Sequence, residues 1–196
     1  MTRKKKIIFS AILILILFVS GWLIYSKIGW SQSLPKCQVE TREVIVRGGS
    51  LQGFIEDGQT VKVLFGYYNC HKIEREDVVL YDFAGRPEPV IKIVKGIEGD
   101  SFHLGKTDGG WPASNASRSD AGWHILINNE IVKNAQGEPY LIGEAGYRML
   151  SLYEKDYKGR IPGNAYLLLG NLTGGSLDST MFGLIDKSDI LGKVEF

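Results

Sequence analysis

Val46-Arg47-Gly48-Gly49-Ser50-Leu51-Gln52-Gly53-Phe54-Ile55 is the stretch around which the chain is organised, because a single hydroxyl follows two glycines where a strand ends. Residues 44–46 are β-branched and predict a strand, and the glycines permit a turn that a β-carbon would hinder. Ser50 can therefore present its hydroxyl and its own N–H to an extended ligand. An ordinary capping serine is the competing interpretation, and a nucleophile needs a base from elsewhere in the chain.

The first 25 residues predict a membrane anchor. Basic residues at 3–6 precede a run from Ile7 to Tyr25 that has no charged side chain. A helix of this length spans roughly 28 Å, close to a bilayer core of about 30 Å. A cleaved secretory signal and a buried soluble helix are the competing interpretations, but the run is long and the stretch from Trp22 to Trp30 lacks a clean small-x-small pair.

The positive-inside bias orients this anchor. We expect a cytoplasmic start at 1–6, a single span at 7–25, a juxtamembrane linker at 26–40 and one extracytoplasmic domain at 41–196. The localisation predicted is therefore a cell membrane crossed once, with the bulk of the chain outside the cytoplasm.

The composition excludes several classes of function. The net charge is +1, and no basic block follows Lys6, so a nucleic-acid partner is not expected. Cys37 and Cys70, the only cysteines, could form a disulfide outside the cytoplasm or remain two free thiols. No Cys-x-x-Cys, His-Glu-x-x-His or calcium-loop motif occurs, and the three histidines lie far apart, so neither a metal nor a cofactor is expected.

The remaining sequence predicts a mainly β domain. Asn128-Asn129 predicts a tight hairpin turn, residues 105–122 a polar excursion, and residues 135–163 an irregular region in which 147–153 could form a helical turn or two. Short β-branched or aromatic runs bounded by Gly, Asn and Asp predict strands at Val61–Phe65, Val78–Tyr81, Val90–Val94, His124–Ile127, Glu130–Lys133, Ala165–Leu169 and Gly192–Phe196.

Two lysines are candidates for a base. Lys92 and Lys95 fall on opposite faces of the strand predicted at 90–94, each among aliphatic residues. Burial lowers the pKa of a lysine and allows the neutral amine to act as a general base. The pattern leaves open which lysine is internal, and it also permits an exposed face whose lysine extends into solvent.

Three blocks of the chain, in order, resemble the motifs of the type I signal peptidases, which are membrane-anchored serine proteases with a serine/lysine dyad. The family motifs read approximately Gly-x-Ser-Met-x-Pro-Thr-Leu, Tyr-Ile-Lys-Arg-Val-Ile-Gly-Leu-Pro-Gly-Asp and Gly-Asp-Asn-x-x-x-Ser-x-Asp-Ser-Arg-x-Phe-Gly. The matching segments here are 48–55, 90–100 and 170–183. They lie on either side of a variable insertion at about 105–163.

The resemblance implies a fold, an activity and partners. The fold is a signal-peptidase-like coiled β-sheet or partly open barrel with one N-terminal transmembrane helix. The activity is cleavage of preproteins after a small residue, and the partners are signal peptides and the lipid bilayer, with the enzyme a monomer. The resemblance implies that Ser50 is the nucleophile and Lys92 the base. Ser176 and Asp178 are then supporting residues, and an apolar rim facing substrate and membrane is formed by Leu51, Phe54 and Ile55.

Four departures from the family pattern bear on the predicted site. Leu51 stands for methionine and Gly53 for proline, which predicts a less stiff loop after the serine. Asn171 stands for aspartate and Thr180 for arginine, so a salt bridge cannot brace Asp178, and the backbone of the turn at 174–175 is the expected donor. These departures keep open a weakened relative that binds preproteins or partners. A dedicated pilus or conjugation peptidase and an anchored β-domain without activity also stay open.

Overall fold

The computed structural model describes residues 18–20, 22, 37–83, 88–106 and 122–196. The chain divides into two compact units, Met1–Lys36 and Cys37–Phe196. Most of the predicted span at 7–25 and of the linker at 26–40 lies outside the described residues, as does most of the excursion at 105–122. Within the described ranges, no helix combines the length and apolarity needed to cross a membrane.

The second unit is mainly β, as predicted. Its strands are β1 (Glu40–Ile45), β2 (Thr60–Phe65), β3 (Val78–Tyr81), β4 (Val90–Gly96), β5 (Phe102–Lys106), β6 (Trp123–Ile127), β7 (Glu130–Ile131), β8 (Leu141–Ile142), β9 (Ala165–Leu169), β10 (Ile185–Asp186) and β11 (Ile190–Glu195). The helices are α1 (Glu144–Asp156) and α2 (Ser179–Phe182), and 3-10 turns occupy Tyr67–Asn69 and Lys187–Asp189.

These strands form two antiparallel sheets. The larger has the order β1-β2-β11-β3-β4-β9-β10, and the smaller has the order β5-β6-β7, with β8 also paired to β6. Strand β1 therefore begins the large sheet, and β4 lies inside it between β3 and β9. This placement puts the end of β1, where Ser50 follows, and the lysines of β4 in one sheet.

The core explains why the central strands carry apolar residues on both faces. In β9, Leu167 and Leu169 pack with the small sheet and α1, whereas Tyr166 and Leu168 pack in a separate cluster with β3. Strand β4 is buried along nearly its whole length. A strand covered on both sides reads as a continuous apolar run and not as an alternating one.

Two local predictions had different outcomes. The Asn128-Asn129 turn is confirmed, because both residues have positive φ, 52° and 66°, and they join β6 to β7. Region 135–163 is more regular than predicted, since α1 runs for 13 residues instead of a turn or two. Leu150 of this helix is buried in the core, and tertiary packing of an apolar face stabilises helices of modest propensity.

A disulfide joins Cys37 to Cys70 and closes a loop with a sequence separation of 33 residues. This outcome selects one of the two states that the sequence left open. His71 lies beside it, and these three residues are the one grouping of possible metal ligands found in the described part of the chain. Because both sulfurs are in the disulfide, neither is available as a thiolate ligand.

Candidate active site

A cavity of about 380 Å³ lies beside Ser50. One wall is the chain from Val44 to Leu51, which includes the end of β1, and the other is the chain from Glu88 to Lys92, which begins β4. Leu80 and Leu177 complete the lining. Most of the lining residues are therefore aliphatic or glycine, and the polar ones are Ser50, Lys92, Arg47 and Glu88.

Ser50 lies on a tight turn that two buried side chains fix to the core. Leu51 and Ile55 pack in the cluster formed by β2, β3 and β4, and the N–H groups of Phe54 and Ile55 both donate to the Leu51 carbonyl, at 2.9 and 2.8 Å. The prediction that Leu51 and Ile55 face the membrane is wrong, because both are buried, although Leu51 does line the cavity. Phe54 is half-buried and packs edge-to-face on Phe196.

The two predicted reactive side chains are in contact. The Lys92 Nζ donates to the Ser50 Oγ at 2.8 Å and to the Ile91 carbonyl at 2.9 Å. This distance is within the range of about 2.6–3.2 Å expected for a nucleophile and its base. The competing interpretation, a strand lysine that extends into solvent, holds for neither candidate, since Lys92 is 2% and Lys95 is 4% exposed. Lys95 instead pairs with Glu76 at 2.7 Å.

Asp178 is a buried acceptor, 1% exposed, that four donors surround. Its Oδ2 accepts from the Gly170 N–H at 3.0 Å and from the Ser176 hydroxyl at 2.5 Å. Its Oδ1 accepts from the Thr180 N–H at 3.0 Å and from the Thr180 hydroxyl at 2.7 Å. The predicted donors at 174–175 are therefore wrong: Thr180, which stands for the family's arginine, is itself a partner.

Gly170 connects this carboxylate to the serine. A β-carbon at Gly170 would lie 2.6 Å from the Ser50 carbonyl oxygen and closer still to the Ser176 Oγ. Tyr140, which the sequence did not indicate, donates its hydroxyl to the Gly170 carbonyl. Burial raises the pKa of the Tyr140 hydroxyl, so this donor keeps its proton. Ser176 and Asp178 therefore lie against the Ser50 backbone through Gly170.

Asp178→Asn is expected to destabilise the domain. An amide can offer an oxygen to only one of the two donor pairs, so its NH2 group must face a backbone N–H that has no other partner. An unsatisfied buried group costs roughly 1–3 kcal/mol, or about 3–10 °C in Tm for a domain of this size. Calorimetry of this variant beside the exposed change Asp156→Asn measures the effect, and equal melting temperatures would contradict the bracing role.

Comparison with known proteins gives consistent relatives. A family model described as "Signal peptidase, peptidase S26" matches residues 5–196. The chain is 31% identical to signal peptidase IB of Staphylococcus aureus strain COL over 152 residues, which cover 77% of this chain and 74% of that protein. It is 26% identical to signal peptidase I of Bacillus caldolyticus over 176 residues, covering 85% and 87%. A crystal structure of a signal peptidase I from Enterococcus faecalis V583 matches with a TM-score of 0.40 at 18% identity, covering 64% of this chain and 98% of that one.

Proposed function

The chain belongs to the signal peptidase family, peptidase S26, and from this premise we propose that it is a membrane-anchored serine endopeptidase that removes signal peptides from secreted preproteins by a serine/lysine dyad. The contact of 2.8 Å between the Lys92 Nζ and the Ser50 Oγ, at the wall of a cavity, is the observation that carries the proposal. It joins a nucleophile to a buried base where a peptide could reach both.

The chemistry is an acyl transfer in two halves. In its neutral form the Lys92 amine accepts the Ser50 hydroxyl proton while the Oγ attacks the carbonyl carbon after a small residue of the preprotein. The resulting ammonium then donates that proton to the departing amine, which leaves an ester on Ser50. A water molecule, deprotonated by the same amine, hydrolyses the ester and restores both side chains. No metal or cofactor takes part in these steps.

The oxyanion of each tetrahedral intermediate needs a donor. The Ser50 N–H forms no hydrogen bond with any of the described residues and is therefore available for this role. A glycine occupies position 48, so no side-chain hydroxyl is available from there.

The substrate class follows from the walls of the cavity. The sheet order begins at β1, so one edge of this strand faces away from β2 and is suited to pair with an extended peptide. Aliphatic residues such as Val44, Val46 and Leu177 favour small apolar side chains beside Ser50. These walls support the proposal that the substrates are preproteins with a small residue before the cleavage site.

The anchor and the orientation belong to the same proposal. The basic residues at 3–6 and the uncharged run at 7–25 support a single span with a cytoplasmic N-terminus. The Cys37–Cys70 disulfide supports a domain that works outside the cytoplasm.

Cleavage of a preprotein tests the proposed function directly. The full chain, purified in detergent, is incubated with a preprotein that carries its signal sequence, and mass spectrometry identifies the new N-terminus. We expect one cut, after a small residue, at the end of the signal sequence. Binding of the preprotein without a cut would instead favour the weakened relative.

Gly170→Ala is expected to lower cleavage roughly 10- to 100-fold, because the new methyl group displaces the backbone of Ser50 from its productive position. The matched control is Gly174→Ala, whose added β-carbon meets no heavy atom within 4 Å. Initial rates at saturating preprotein compare the two variants. Equal rates for both would show that the approach of Gly170 to Ser50 has no effect on the reaction.

A further inference from the structure

The backbone that follows Ser50 is held from outside the turn by three hydrogen bonds. The Ser50 carbonyl accepts from the Asn171 N–H at 2.7 Å, and the Gln52 carbonyl accepts from the Asn171 Nδ2 at 2.9 Å. The Gly53 carbonyl accepts from the Gln136 Nε2 at 2.8 Å. Two residues far away in sequence thus fix the carbonyls on both sides of the turn that presents the candidate nucleophile.

The Asn171 side chain has a partner for each of its polar atoms. Its Nδ2 also donates to the Gln136 Oε1 at 2.9 Å, and its Oδ1 accepts from the Ala135 N–H at 3.0 Å. The residue is only 2% exposed. A buried amide whose donors and acceptor are all satisfied is held in one orientation, and each of its bonds becomes expensive to lose.

The aspartate of the family pattern could not make these contacts. A carboxylate has no hydrogen to donate to the Gln52 carbonyl or to the Gln136 Oε1. Rotating the Gln136 amide to donate to such a carboxylate would withdraw its Nε2 from the Gly53 carbonyl. Asn171 and Gln136 therefore depend on each other, and the asparagine gives the turn a donor that the family residue lacks.

The proline of the family pattern could not take the place of Gly53 either. Gly53 has a φ of +79°, whereas proline is fixed near −65°. The Gly53 N–H also donates to the Glu56 Oε1 at 3.0 Å, and proline has no such hydrogen. In this chain the turn thus has no ring to stiffen it, and side-chain amides hold it instead.

We infer that Asn171 and Gln136 form an amide clamp that positions Ser50 for reaction, in the place of the family's aspartate and proline. The inference rests on the proposed function for its effect on rate. Neither side chain lies in the wall of the cavity, so both act through the Ser50 backbone and not on the substrate. Gly53 and Asn171, which stand for the family's proline and aspartate, then belong to the same arrangement that holds the turn, and they are not two independent losses of a stabilising residue.

Asn171→Asp and Gln136→Ala test the clamp, singly and together. We expect Asn171→Asp to lower kcat roughly 10- to 100-fold and Gln136→Ala several-fold, with KM unchanged, because only the placement of Ser50 is altered. The double variant should be no slower than Asn171→Asp, since both changes break one unit. Gln136 is exposed, so its truncation leaves the core intact. Gln38→Ala, another exposed glutamine, is the control.

Hydrogen exchange supplies a readout that does not depend on cleavage. The amides of Gln52, Phe54 and Ile55, which bond within the turn, should exchange faster in both single variants while the strands β3 and β4 keep their protection. If the wild-type chain cleaves nothing, the proposed function fails and this exchange experiment still decides the clamp. Unchanged exchange, or a rise in KM at constant kcat, would overturn the inference.

Discussion

Ser50→Ala is expected to lower preprotein cleavage by several orders of magnitude without unfolding the domain. In the proposed mechanism the Ser50 hydroxyl forms the acyl-enzyme, and alanine has no group that could replace it. The fold should persist because the Ser50 bond to Asn171 uses the carbonyl oxygen, which alanine retains. Cleavage is followed with the purified full chain, and the melting temperature is measured on the same sample.

A matched control for this change is Ser151→Ala. Ser151 lies on α1, and its hydroxyl donates to the Arg148 carbonyl of the same helix at 3.1 Å. This variant should cleave at the wild-type rate. If Ser50→Ala retained more than about a hundredth of the wild-type rate, Ser50 would not be the nucleophile.

Local sequence was sufficient to locate most strands but not the position of each in a sheet. The residues of β3 and β9 are β-branched or apolar throughout and were predicted to the residue. Strand β5 was missed, because Phe102–Lys106 contains a histidine, a glycine and a lysine, and its pairing with β6 decides its conformation. That pairing spans about twenty residues and leaves no local pattern.

The same limit explains the two lysines. Alternation placed Lys92 and Lys95 on opposite faces and left open which lysine was internal and whether one face was exposed. Strand β4 in fact has a neighbour on each side and packing on both faces, so both amines are buried, one toward Ser50 and one toward Glu76. Which lysine meets the serine followed from the resemblance to the family and not from periodicity.

The departures from the family pattern were the hardest to interpret from sequence. Read singly, Asn171 and Thr180 suggested the loss of a brace. Each compensates through a contact that a linear sequence does not display: Thr180 donates twice to Asp178, and Asn171 bonds to Gln136, which lies in the region predicted to be irregular. Substitutions next to a reactive group therefore cannot be evaluated without their partners in space.

Lys92→Met and Lys92→Arg are both expected to abolish cleavage, for different reasons. Methionine keeps much of the buried stem but has no amine. Arginine keeps the positive charge but remains protonated at any working pH, so it cannot accept the Ser50 proton. A role for Lys92 in packing alone predicts activity in the methionine variant, and a role as a fixed cation predicts activity in the arginine variant. Only a role for Lys92 as the base predicts that both variants are inactive. Single-turnover cleavage of a preprotein measures the activity of each.

Lys95→Met is the decisive control, because it makes the same change in a second buried lysine three residues along the same strand. The Lys95 amine contacts Glu76, whose side chain is 60% exposed and can be solvated once the lysine is gone. We therefore expect cleavage within a few-fold of wild type, together with at most a modest fall in Tm. Activity of Lys92→Met would exclude Lys92 as the specific base. Inactivity of Lys95→Met with an unchanged Tm would do the same, since the two buried lysines of β4 would then have the same effect on cleavage.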